Sequence, residues 1–238
     1  MTHSNLTATP IAHIRTPFRE KFGIPRQPAL APDIQGIVRF SQAFNDPDYL
    51  RGIEQFSHLW LIFSFHQHTA HAPSPLVRPP RLGGNEKIGV FASRSSYRPN
   101  GMGMSLVSYQ AHDFHNGQLT LTVGGVDLLD GTPILDIKPY INYSDSQPDA
   151  NCGYAQPTPQ ARLQLRYTAL AQQQLHSFST ECPTLAADIE TVLTLDPRPA
   201  YKQAKADPKT YSIWLHSVDV KWHVEQDIVY VTELIARR

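Results

Sequence analysis

The sequence predicts a mainly β protein, with a β-rich first domain over residues 1–150 and a small α+β second domain over 160–238. Three observations predict it. Charged residues make up only 18% of the chain while 20 residues are proline, a composition of short elements and ordered turns rather than of a helical bundle. Short apolar runs bounded by turn residues recur along the chain in the manner of strands. Two of these runs are separated by Asn116-Gly117, a strong short-range hairpin signal. At 238 residues the chain is long enough to bury a real core.

In chain order, residues 1–7 are polar and read as loose, and Pro10–Ile14 reads as a first strand. Arg15–Pro28 holds three prolines and four basic residues, which rules out a continuous helix or a central strand and predicts an ordered loop. Ile34–Phe40 alternates as a strand, and Asp46-Pro47 opens a short helix. Phe56–Phe65 is the most apolar run and reads as a buried strand, with a buried helix as the alternative that periodicity leaves open. Ile88–Ala92 reads as a short apolar strand. Met102–Tyr109 and Gln118–Val123 are strands on either side of the Asn116-Gly117 turn, with Ala111–Phe114 between. Asp130-Gly131 is a turn pair flanked by apolar runs. Residues 144–160 read as a linker. Leu163–Tyr167 restarts order, Thr168–Phe178 and Thr184–Leu195 read as helices, and Asp196–Tyr201 is a rigid break. Tyr211–Leu215, Val218–Val224 and Ile228–Leu234 alternate as strands.

The formal net charge is zero, which argues against nucleic-acid binding driven by total charge and leaves a local basic patch open. The two cysteines, Cys152 and Cys182, build neither a disulfide framework nor a zinc knuckle. No basic-then-apolar leader and no apolar run of membrane-spanning length is present, so the expectation is a soluble cytoplasmic protein.

Function concentrates in Val77–Leu106. This stretch sets Arg78, Arg81, Lys87, Arg94 and Arg98 against one acid, Glu86, with paired prolines and paired glycines between. Guanidinium groups on stiff Arg-Pro turns suit carboxylate or phosphate, which the planar fork grips through two parallel hydrogen bonds. The alternative is a solvated turn with exposed arginines. His58, His66, His68 and His71 invite a metal reading, but no Asp, Glu or Cys stands near to complete a set, so no metal is assigned; a histidine at a strand end that hydrogen-bonds a ligand is the better expectation. Asp127, Asp130 and Asp136 are either a catalytic set or turn acids. There is no Walker-type loop, no strand-linked G-x-G-x-x-G and no nucleophile elbow. By itself, the residue chemistry reaches a small polar ligand bearing carboxylate or phosphate, and stops there.

Several longer motifs carry a resemblance. They are Lys21–Pro28 (KFGIPRQP), Phe56–Trp60 (FSHLW), Val77–Asn85 (VRPPRLGGN), Gly89–Ser95 (GVFASRS), Tyr97–Asn100 (YRPN), Asp127–Pro133 (DLLDGTP), Asp136–Tyr140 (DIKPY) and Asp196–Tyr201 (DPRPAY). In these the chain resembles the TsaA/TrmO-like proteins, S-adenosylmethionine-dependent tRNA adenine N6-methyltransferases, over nearly its whole length. The resemblance implies an N-terminal β-barrel that binds S-adenosyl-L-methionine in place of a Rossmann fold, and a homodimer with the cofactor near the subunit interface. It also implies a substrate, the anticodon loop of threonine tRNA carrying N6-threonylcarbamoyladenosine at position 37. Carried over residue by residue, the cofactor site falls on Pro25, Arg26, Gln27, His66, Gln67, Arg98, Leu106, Asp130, Gly131, Thr132 and Pro133. Lys138 and Tyr140 are the catalytic candidates. Arg78, Arg81, Arg94, Arg198 and Tyr201 are the substrate-side ones. Acids or carbonyls near Asp130 are the expected neighbours of the sulfonium. One departure stands out: Gly101-Met102 occupies the place where the family usually has Pro-Ile, which loosens a loop beside the cofactor. Three readings follow: the methyltransferase, a non-catalytic tRNA- or cofactor-binding module of the same fold, and a histidine-based metal hydrolase.

Overall fold

A computed structural model describes residues 7–67, 74–83, 85–156, 163–203 and 207–237, except for the side chains of Ala200 and Tyr201. The histidine reading at His68 and His71, and Gly84 of the paired glycines, lie outside the described residues.

The first half of the chain closes into a barrel. Its strands are β1 (Ala12–Arg15), β2 (Gln35–Phe40), β3 (His58–Ser64), β6 (Met102–His115), β7 (Gln118–Gly124) and β8 (Thr132–Pro139). They run in the order β1-β2-β7-β6-β3-β8, every pair antiparallel, and β8 closes on β1 through Ala12 opposite Ile134. Alternate residues fill the interior, as the two-residue period of a strand requires. Leu59 and Leu61 of β3, Leu119, Leu121 and Val123 of β7, and Ile14 of β1 are fully or almost fully buried there. Phe56–Phe65 is thus a strand. The Asn116-Gly117 turn has both residues at positive φ, 50° and 73°. This primed geometry follows the twist of the strands, so pairing begins at once with His115 opposite Gln118. For that reason Ala111–Phe114 belongs to β6 rather than standing between strands.

Antiparallel order puts the strand ends into two rims. At one rim emerge the 16–34, 65–101 and 125–131 connections; at the other emerge the 41–57 connection and the Asn116-Gly117 hairpin. Within the 65–101 connection, β4 (Leu76–Val77) pairs with β5 (Ile88–Gly89). The strand expected over Ile88–Ala92 is cut short: Val90–Ala92 turns into a 3-10 helix closed by Ser93 N–H to the Val90 carbonyl. In the expected linker, a short helix α1 (Asn142–Asp145) and a 3-10 turn at Gly153–Ala155 form before residues 157–162, which lie outside the described residues.

The second sheet has the order β10-β11-β12-β9, built from β9 (Gln164–Tyr167), β10 (Tyr211–Leu215), β11 (Val218–Glu225) and β12 (Ile228–Ala236). β9 is parallel to β12, and the chain between β9 and β10 forms α2 (Ala169–Phe178), α3 (Leu185–Thr194) and α4 (Ala200–Gln203). Thr168 caps α2 by accepting from Ala171 N–H at 3.2 Å.

The proline-rich 15–28 loop joins barrel and sheet. Phe18 makes a β-bridge with Leu215 and is fully buried. Phe22 stacks on Tyr211 and Trp222 at ring distances of 6.3 and 6.4 Å. Gly23, at φ 86°, lies against Ile213, whose Cδ1 would stand 2.0 Å from an added Cβ. Here the glycine is a requirement of close approach and of backbone sign together.

Candidate functional site

Most of the residues singled out from the sequence gather at the rim from which the three long connections emerge. The Asp130-Gly131 turn is held by the segment that follows β1. Asp130 N–H donates to the Phe18 carbonyl and Gly131 N–H to the Ile14 carbonyl, both at 2.8 Å. One Asp130 carboxylate oxygen accepts from Thr16 N–H at 3.0 Å, and the other accepts from the Arg19 guanidinium. The Thr132 hydroxyl donates to the Leu129 carbonyl at 2.6 Å, which starts β8 with Pro133 next in line. Gly131 has φ 76° and nothing within 4 Å of where a Cβ would stand, so the backbone is open to a ligand there.

His66 follows β3 at the same rim. Burial, with His13 and Lys21 close by, holds its imidazole below the usual histidine range, while the Asp130 carboxylate pulls the other way. At neutral pH it is an uncharged donor and acceptor. Lys21 donates to the Gln67 carbonyl at 3.3 Å and so ties the 16–34 loop to the 65–101 loop. Gln27 does the same from its side chain: it donates to the Arg26 carbonyl and accepts from Arg94. Pro25 beside them is buried and Arg26 is exposed. Arg98 donates to the Ser93 carbonyl at 2.8 Å and to the Val90 carbonyl at 3.4 Å, bracing the loop from inside.

Asp127 lies in the 125–131 connection of the same rim and is half-buried as a residue. It accepts from the Ser105 hydroxyl at 2.6 Å. Burial pushes its carboxyl up to about 6, against the opposing pull of Ser105, its own backbone N–H and Arg94. The sequence marked Asp127 only as one of three acids. Its pairing with Ser105, 22 residues away across the barrel wall, leaves no local pattern.

Other expected residues lie elsewhere. Lys138 is six residues along β8 from Thr132, roughly 20 Å at strand rise. Leu106 and Lys138 both stand opposite Trp60 in the sheet register. Tyr140 lies with its ring 6.1 Å from Trp60 and 6.3 Å from His58. Trp60 donates its indole N–H to Asp145 at 3.0 Å, and Asp145 also accepts from Ile141 N–H at 3.0 Å. The Ile141 N–H, the Trp60 indole and the charge of Lys138 hold the Asp145 carboxyl below the usual range. This second group, with Trp60 and Asp145 unforeseen, is separated from the rim within one chain. Arg78 is exposed, and Arg81 donates to the Ala155 carbonyl at 2.6 Å. Arg198 is only 3% exposed, and its fork is filled by Asp196, with Nε and Nη2 each 2.8 Å from a carboxylate oxygen. It is turned inward to hold the Asp196 turn, where φ is 53°. Tyr201 lies on α4, and its side chain is outside the described residues. Among the described residues no group of three His, Cys, Asp or Glu side chains gathers to hold a metal ion, and no helix is long and apolar enough to cross a membrane.

A closed antiparallel barrel with a polar, partly basic rim and no dinucleotide fingerprint, followed by an α+β sheet, defines a barrel class of ligand-binding protein distinct from the Rossmann proteins. Comparison narrows the class to one family. Residues 13–146 match the family model of the tRNA-methyltransferase O N-terminal domain, and residues 160–237 match that of the TrmO C-terminal domain. A tRNA (adenine(37)-N6)-methyltransferase of Escherichia coli (strain K12) is 46% identical over 214 residues, 90% of this chain and 91% of that protein. A Pseudomonas aeruginosa protein that carries a provisional name as an S-adenosylmethionine-dependent methyltransferase is 44% identical over 237 residues, 98% of each chain. The crystal structure of TrmO from Pseudomonas aeruginosa superposes with a TM-score of 0.79 at 37% identity, covering 99% of both chains. The chain belongs to the tRNA-methyltransferase O family.

Proposed function

We propose that this protein methylates N6 of adenine 37 in tRNA, with S-adenosyl-L-methionine as methyl donor. The observation that carries the reading is the rim, where Lys21, Gln27, His66, Arg94 and the open Gly131 turn converge on a chain 46% identical to a tRNA (adenine(37)-N6)-methyltransferase. The donor set fits a zwitterionic cofactor. Arg98 and Arg94 suit its carboxylate; the Gln27 amide and neutral His66 suit its hydroxyls and ring nitrogens; the Gly131 backbone permits close approach. When bound, S-adenosylmethionine supplies an electrophilic methyl on a positively charged sulfur. The chain's share is orientation, because in-line displacement is fastest when donor and acceptor are held in one geometry. A neutral His66 adds no repulsion to a cation. Each Asp130 oxygen accepts one hydrogen bond and keeps lone pairs free, so its carboxylate and the nearby backbone carbonyls are the neighbours that suit the sulfonium. The cofactor site comprises Pro25, Arg26, Gln27, His66, Gln67, Arg98 and Asp130–Pro133.

Leu106, Lys138 and Tyr140 enter through a second copy. Leu106 and Lys138 flank Trp60 on the outer barrel wall, with Tyr140 next to His58, and the exposed Met104 (59%) and Met102 (42%) continue the same face of β6 from Leu106 toward the first rim. A homodimer that covers this apolar wall brings the Lys138–Tyr140 group of one protomer toward the rim of its partner. The substrate reading is adenine already carrying a threonylcarbamoyl group in threonine tRNA, acted on in the cytoplasm. The carboxylate of that group calls for a cation, which Arg78, Arg81 or Lys138 supplies. An unstacked anticodon-loop base is the form in which RNA bases are read by pockets. Residues 1–150 bind cofactor and 160–238 form a second unit. Sedimentation of the full chain tests the dimer: Met104→Asp is expected to yield monomer with methyl transfer lost. A monomeric wild type with full activity would refute the shared site.

A further inference from the structure

The segment Thr16–Glu20 is bonded along both of its edges. On one side lies the 128–131 turn. Thr16 donates its hydroxyl to the Leu128 carbonyl at 2.9 Å, and Asp130 N–H reaches the Phe18 carbonyl at 2.8 Å. On the other side lies the hairpin between β10 and β11. Here His216 N–H donates to the Pro17 carbonyl at 2.8 Å, Arg19 N–H to the Trp214 carbonyl at 3.3 Å, and Trp214 N–H to Glu20 Oε1 at 2.9 Å. Arg19 is the side chain that spans the two. Its Nε donates to the His216 carbonyl at 3.1 Å, and its Nη1 donates to Asp130 Oδ2. The two residues are moderately shielded, at 33% and 14% side-chain exposure.

We propose that Arg19 is a positioning residue for the cofactor turn: one guanidinium ties the Asp130 carboxylate to the C-terminal sheet at His216, so that the second half of the chain sets the geometry in which the 130–133 turn meets the cofactor. The inference rests on the assignment of Asp130–Pro133 to the cofactor site. It follows from the chemistry of the group. A guanidinium offers donors in a rigid planar fork, so fixing Nε on one carbonyl fixes where Nη1 points. The Asp130 oxygen that faces Arg19 is then held against the pull of a bound cation, and the turn keeps its aim. Lysine carries three rotatable donors around one point on a flexible stem, so it can reach the partners but does not fix their relative direction as the planar fork does.

The test uses the full-length protein, with Arg19→Gln, Arg19→Lys and Asp130→Asn, and Arg39→Gln on the exposed face of β2 as control. Cofactor affinity is measured by calorimetry with S-adenosylmethionine, and steady-state methyl transfer to tRNA gives KM and kcat separately. Arg19→Gln is expected to weaken cofactor binding about tenfold, the scale on which residues without ligand contact modulate a site. Its kcat at saturating cofactor and its KM for tRNA stay at wild-type values, and Arg19→Lys recovers part of the loss. A purely structural role would instead lower the melting temperature and leave the cofactor KM of the folded protein unmoved. If Arg19→Gln binds cofactor like wild type while Asp130→Asn does not, the Arg19 inference falls and the cofactor site stands. If neither variant affects binding, the site assignment itself is wrong and the inference falls with it. Should Arg19→Gln fail to fold, Arg19→Lys decides: undiminished cofactor affinity there overturns the proposal.

Discussion

Replacing Asp127 by asparagine removes a burial penalty that depends on pH. The carboxyl accepts from the Ser105 hydroxyl at 2.6 Å, and burial pushes it up to about 6 from 3.8. In the unfolded chain it ionises at the ordinary carboxylate value. Between these two pKa values the folded protein therefore binds more protons than the unfolded one, and stability falls as pH rises. The penalty is absent below about pH 4, grows through the interval, and is complete above about pH 6. At about 1.4 kcal/mol for each tenfold change in proton affinity, the two decades or so amount to ~3 kcal/mol. An asparagine side chain in its place keeps the shape and an oxygen that accepts from Ser105, but it carries no charge to bury. Urea unfolding of both proteins from pH 4 to pH 8 measures the effect. The variant's advantage over wild type at pH 8 is expected to exceed that at pH 4 by ~3 kcal/mol, with most of the change between about pH 4 and 6. Two stability profiles running at a constant offset would show that Asp127 ionises as an ordinary surface acid, and the burial of this carboxyl at the rim would be refuted.

Other perturbations test the joints of the structure. Arg198→Ala leaves Asp196 buried and unpaired, at a cost of about 3–5 kcal/mol by urea unfolding; a loss below about 1 kcal/mol would mean that the pair is open to solvent. Gly23→Ala is expected to destabilise by several kcal/mol, because the methyl meets Ile213 and the backbone stands at φ 86°; an unchanged melting temperature would contradict the packing of the 15–28 loop on the second sheet. Arg98→Ala removes the brace on the Val90 and Ser93 carbonyls and is expected to weaken cofactor binding with about 1 kcal/mol of stability lost; a titration with S-adenosylmethionine that matches wild type would remove Arg98 from the site.

What the sequence made legible was what is local. Strand and helix positions followed from period and punctuation, and the primed turn at Asn116-Gly117 came out as its residue types require. The motifs also pointed to the rim, since Pro25–Gln27, His66-Gln67 and Asp130-Gly131 lie in connections at one end of the barrel and Thr132-Pro133 open β8 there. Closure of the barrel was not legible, because a two-residue period is the same whichever strand lies alongside, and β1 pairs with β8 some 120 residues away. The same holds for the parallel pairing of β9 with β12 and for the Phe18–Leu215 bridge. Arg198 reads in the sequence as a surface cation on a stiff turn. Its inward direction depends on Asp196 adopting positive φ, which no neighbouring residue announces. Lys138 and Tyr140 read as companions of the Asp130 turn because they follow it closely, yet an eight-residue strand carries them to the far rim.

The central claim is methyl transfer to adenine 37, and the most direct measurement follows labelled methyl from S-adenosylmethionine into tRNA. Two samples of threonine tRNA are compared, with and without the threonylcarbamoyl group, and the label is located by nucleoside analysis. The account predicts label on N6 of adenine 37 in the modified tRNA and none in the unmodified one. Cofactor bound by the protein with label in neither tRNA would contradict it and leave a binding module in place of an enzyme.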